Sequence, residues 1–142
     1  LEASNDIKVV LDTRTLKDTI DVFGGNMPAG CLYLPIDYIK ENPNTVQALV
    51  NAMVRADKWI QRAGSEGVAA AVPTSYLLGD PAVYKMSVKR SLEGLSPNGK
   101  MPDGGPETAL RVLTTFKPGL AKSNIDLSKT WTSVFVDKAN KG

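Results

Sequence analysis

The sequence predicts an α/β chain, mostly helical, with about two short strands near its start. Three observations carry this. Two apolar runs, Ile7-Lys8-Val9-Val10-Leu11 and Cys31-Leu32-Tyr33-Leu34, have strand length and are bounded by polar residues, glycine or proline. The stretch after Asn42 repeats Val46, Leu49, Val50, Met53 and Ile60 at helical spacing. Later segments open at proline, whose fixed φ and missing N–H suit the first helical turn.

Taken in order, Ile7–Leu11 is the first predicted strand, and Thr15 to Phe23 reads as a short helix stopped by Gly24-Gly25. Pro28 and Gly30 before it and Pro35 after it box the second strand, Cys31–Leu34. One or two helical turns are expected over Ile36–Lys40. The clearest element follows, a long amphipathic helix with Asn42 as N-cap, Pro43 in its first turn and Gly64 as its stop. Gly67 and Pro73 limit Ser65–Leu78 to short helices. Asp80-Pro81 opens a helix carrying Tyr84, Val88, Leu92 and Leu95, and Pro106 opens another carrying Ala109, Val112, Leu113 and Phe116. The turn clusters between them, Ser96–Gly99 and Pro102–Gly105, form a loop. Ile125–Trp131 gives a capped turn, and Trp131, Val134 and Phe135 begin a last amphipathic segment.

Composition narrows the function classes. With 17 basic and 15 acidic residues and a net charge of +2, the chain has no basic stripe, and Lys85–Arg90 reads as a solvated helix face, so nucleic acid is not an expected partner. No apolar run approaches the roughly 20 residues of a membrane span. The start, Leu1-Glu2-Ala3-Ser4-Asn5-Asp6, lacks the basic and apolar regions of a signal peptide, and Leu1-Glu2-Ala3 reads like the middle of a longer gene product.

The chemistry is sparse. Histidine is absent, which removes triads built on Ser–His or Cys–His pairs. The glycine-rich loop Gly24–Gly30 has no Lys-Ser/Thr after it to hold a phosphate, and reads as a turn or hinge. Asp18/Asp21 and Asp37/Glu41 read as solvated helix faces, since like charges at that spacing repel. No calcium loop or multi-cysteine metal site is present, and no cofactor is expected. Cys31, the single cysteine, is expected to be a small buried hydrophobe, and Trp59 and Trp131 are expected to be packing anchors. These features argue against an enzyme.

The order of several phrases carries a resemblance. Asp12-Thr13-Arg14-Thr15 before a short helix, Gly30-Cys31-Leu32-Tyr33 before Glu41-Asn42-Pro43, Ala56-Asp57-Lys58-Trp59 in the long helix, and Ile125–Trp131 with Phe135-Val136 are together similar to the nitrate/sulfonate/taurine (NMT1/THI5-like) group of ABC-transporter substrate-binding proteins. The resemblance covers nearly the whole chain, while members are about twice as long and have two lobes. It implies that the chain is the C-terminal part of a two-lobed periplasmic-binding-protein (type II) fold. Residues 1–23 would end the second lobe, 24–35 would be the crossover, hinge and strand, and 36–142 the C-terminal helices of the first lobe.

The same resemblance implies a periplasmic or extracytoplasmic protein that delivers a small anionic or heterocyclic solute to an ABC permease and its ATPase subunit. It places Asn26, Met27, Pro28 and Ala29 nearest the solute cleft, by location only. A chain left with unpaired strands and bare helix faces is also expected to self-associate. The alternative is a small helical protein-interaction or regulatory module with no small-molecule ligand.

Overall fold

Proline and glycine punctuation sets most helix boundaries in the computed structural model, which describes residues 1–2, 4–77 and 79–141. Among those residues there are seven α-helices and three short 3-10 turns, and no strand. Helix α1, Leu16–Phe23, starts at Thr15, whose hydroxyl accepts from the Asp18 N–H at 3.1 Å, and ends at left-handed Gly24. Pro35 precedes α2, Ile36–Glu41.

Helix α3, Pro43–Ala71, departs from expectation at both signals read from the sequence. Asn42 makes no side-chain cap, because its amide donates back to the Tyr38 carbonyl at 3.2 Å. Gly64 breaks the helix with φ 62 and ψ −170 without ending it. The chain resumes helical geometry through an alanine-rich stretch, Ala69-Ala70-Ala71, that favours the helix. A 3-10 turn over Thr74–Leu77 follows, and Leu78, the end of the predicted short helices, lies outside the described residues.

Helix α4, Pro81–Ser91, is capped as its sequence predicts, the Asp80 carboxylate accepting from the Ala82 and Val83 N–H groups at 2.8 and 3.2 Å. Helix α5 spans Gly105–Phe116, α6 Pro118–Ala121 and α7 Val134–Lys141. Between α6 and α7, Asp126 caps the 3-10 turn Leu127–Lys129.

Helix α3 is the axis on which α4 and α7 pack. Its residues Val46 and Val54 are buried, as is Val136 of α7, while Ala69 is buried on the limb beyond Gly64. Polar bonds fasten α7 to this seam: Gln47 Nε2 donates to the Phe135 carbonyl and Asn140 Nδ2 to the Asn98 carbonyl, both at 2.9 Å. Gly99 closes the loop over the seam at φ 72, and a Cβ there would lie 3.1 Å from Val54 Cγ2 and 3.4 Å from Val136 Cγ2. Glycine is therefore required twice, by conformation and by space.

The α/β expectation is corrected by this structure. Ile7–Leu11 and Cys31–Leu34 form no strands because no segment of the described chain lies alongside either to complete a ladder. Strand preference reports fit to a pleated, partly buried surface, so it fails where that surface is missing. Cys31, expected in the core, is exposed for the same reason.

Candidate interaction surface

The residues expected nearest a solute lie in a loop anchored on α5. Arg111 Nη2 donates to the Phe23 carbonyl at 2.7 Å, and Asn26 Nδ2 donates to the Asp103 carbonyl at 2.9 Å. A Cβ at Gly25 would collide with Thr108 Oγ1, and one at Gly105 would lie 3.3 Å from Pro28 Cδ. Asn26, Met27 and Pro28 are half-buried and Ala29 is exposed. The Asn26 amide and the Pro28 ring thus serve to hold this loop against the start of α5.

A charged cluster fixes the chain's beginning. Arg14 binds both carboxylate oxygens of Glu2 at 2.8 and 2.9 Å and also grips Asp12, while Arg90 of α4 donates to Glu2 Oε2 at 2.7 Å. The Arg14 hydrogen bonds pull the Asp12 carboxyl down to about 2 and lower that of Glu2, and the two carboxylates raise Arg14 further. Asp57 behaves oppositely: burial beside the α3–α7 seam raises its pKa above the ordinary value. Among the described residues no group of His, Cys, Asp and Glu side chains is placed to hold a metal ion.

Two concavities among the described residues are open grooves. One of about 620 Å³ lies where α3 breaks, lined by Gly64, Glu66, Lys85, Met86 and Leu92, with Lys85 paired to Glu66 at 2.5 Å. Another of about 400 Å³ runs between α5 and α6, past Leu110, Arg111 and Leu127. Neither has the enclosure of a small-molecule site.

The surface itself is the unusual feature. The protein exposes 10373 Å². A folded monomer of its 15.2 kDa mass exposes about 7,100 Å² on the scaling that holds for globular proteins, leaving an excess of roughly 3,300 Å². Much of what is bare is apolar: Val10 is 93 % exposed, Tyr33 87 % and Phe116 79 %, and Leu49 and Met53 of α3 are both exposed. The sequence marks these residues as apolar and periodic, which is the signal of a packing face, and carries no sign that the covering layer is missing.

No family model matches the chain, and no curated protein does. It is similar to a solved structure of a protein from Bordetella bronchiseptica RB50, with 57% sequence identity and a TM-score of 0.93. The helical arrangement is shared. The match covers 99% of this chain and 44% of the Bordetella chain, so this protein spans less than half the length of that neighbour.

These findings overturn the resemblance to the nitrate/sulfonate/taurine group of substrate-binding proteins. The described residues are helical with no strand, without the two-lobed α/β architecture, and no family model of substrate-binding proteins matches the chain. The argument that placed a solute at Asn26–Ala29 rested on that analogy and goes with it. No described helix is long and apolar enough to cross a membrane.

Proposed function

We propose that this protein is a helical protein-interaction module that works by covering its apolar faces with another polypeptide, and that it has no catalytic role. The observation that supports this is the excess of roughly 3,300 Å² over a self-contained monomer of its mass. Covered in full, that excess on one chain corresponds to roughly twice as much area over both partners, which is at the scale of the largest obligate interfaces of about 5,000 Å² or more in total and well beyond the few hundred Å² of an ordinary exposed patch. The open grooves and the lack of a nucleophile–base pair favour binding over chemistry.

Sedimentation of the isolated protein over a concentration series, with an apolar fluorescent dye in parallel, tests the reading. Expected are an average mass that rises with concentration and strong dye fluorescence. A monodisperse, cooperatively melting monomer that ignores the dye would overturn it.

A further inference from the structure

We infer that the uncovered face of α3 receives an amphipathic helix with an acidic flank from a partner polypeptide. The inference rests on the interaction reading above and names the face and the chemistry of what covers it.

Helix α3 is apolar on two sides. One side carries Val46 and Val54 and is buried where α7 packs. The other carries Ala48, Leu49, Ala52, Met53, Ala56 and Trp59, all exposed, within a sector of about 140° on a helix of about 3.6 residues per turn. A helix that only fills the core of its own domain needs one apolar stripe, and this one has a second with nothing on it. Within that stripe Leu49, Ala52, Ala56 and Trp59 are spaced three, four and three residues apart, the spacing of a seam between two helices. The alanines at its middle leave room for a second backbone to approach, and Leu49 and Trp59 bracket the gap. A lipid surface is the poorer fit, because helices that lie in a membrane interface present large side chains along the apolar face and this stripe is small at its centre.

The flank decides which helix arrives. Arg55 and Arg62, seven residues apart along one edge of the stripe, are both exposed and form no salt bridge among the described residues. The other arginines are engaged: Arg14 with Glu2 and Asp12, Arg90 with Glu2, and Arg111 with the Phe23 carbonyl. Flanking charges set partner choice along such a seam, so two guanidiniums in register call for two carboxylates spaced likewise on the arriving helix. A second copy of α3 brings none within reach. From Pro43 to Ala63 it has a single acidic residue, Asp57, which lies half-buried beside the α3–α7 seam. Two copies would set Arg55 near its own equivalent when antiparallel, and against Met53 and Ile60 when parallel, so like charge or no charge meets the basic flank.

The test is fluorescence anisotropy of a labelled synthetic helical peptide of about 21 residues, with leucine at the seam positions and either glutamate or lysine on both flanks, titrated with this protein. The glutamate form is expected to bind in the micromolar range, as suits an interface of one helix pair. It should bind about tenfold more tightly than the lysine form at low salt, the gap narrowing as salt screens the flanks. Arg55→Glu combined with Arg62→Glu should reverse the preference, and Ala52→Glu should abolish binding of both peptides. All three positions are exposed and glutamate is a good helix former, so an unchanged far-ultraviolet circular dichroism spectrum is the control for folding. Equal binding of the two peptides, or binding that survives Ala52→Glu, would overturn the inference. No binding by a protein that still takes up the apolar dye would overturn this face and leave the interaction reading in place, whereas a monomer that ignores the dye overturns both. Sedimentation showing a dimer that Ala52→Glu dissolves would identify a second copy as the occupant. Binding to phosphatidylserine vesicles that Ala52→Glu abolishes and the glutamate peptide fails to displace would identify a lipid surface; either result overturns the occupant named here.

Discussion

Replacing Val54 with alanine tests whether the α3–α7 seam is the centre of stability. Val54 is 2% exposed, and the deletion removes two methyl groups beneath Gly99 and Val136. At ~0.8 kcal/mol per buried carbon, the transfer term is about 1.6 kcal/mol. The void left behind adds about another 1 kcal/mol, because the loop at Gly99 is pinned by the Asn140–Asn98 bond and collapses only in part. A loss of about 2–3 kcal/mol is expected, read as a lower urea midpoint at unchanged slope in far-ultraviolet circular dichroism. Val83→Ala on α4, where the side chain is 41% exposed, is the matched control and should stay within about 0.5 kcal/mol. Equal losses for the two variants would refute the assignment of the core to this seam.

Three further outcomes follow from the geometry. Gly25→Ala, which drives a Cβ into Thr108 Oγ1, should free the loop from α5 and raise amide exchange at Asn26 without altering α7. Asp12 and Glu2 have pKa values below their ordinary 3.8 and 4.5, so the stability they add is complete above those values and is lost as pH falls toward about 2. Arg14→Met should flatten that part of an acid titration followed by circular dichroism. The reverse sign applies to Asp57, whose pKa is raised by burial from 3.8: its carboxylate weakens the fold as pH rises through the raised value, so Asp57→Asn should raise the urea midpoint slightly at neutral pH and lose its advantage in acid.

Local signals were legible and non-local ones were not. Asp80-Pro81 states a helix start through the cap and the ring, and both act within a few residues. Thr15 and Gly24 bound α1 in the same way. Whether Ile7–Leu11 pairs depends on a neighbour far away or outside the chain, which its own letters do not name. Gly64 misled for a related reason, since a glycine stops a helix only when the residues after it prefer another conformation. The proposed interaction surface was half legible: the apolar periodicity of α3 is written in the sequence, but the covering of Val46 and the exposure of Leu49 and Met53 are settled by which helices the rest of the chain supplies.

The break at Gly64 has a mechanical side. A Cβ at Gly64 would meet nothing within 4 Å, so the side of the bend where a side chain would stand is open. It is splinted from outside: Gln61 before the break donates to the Leu92 and Leu95 carbonyls, each at 3.2 Å, and Glu66 after it pairs with Lys85. The α4 segment therefore sets the angle at which Ala69 and its limb project, as a brace sets a joint. Any partner that displaces α4 would unlock the joint and swing that limb, turning occupancy of a surface into movement of a lever.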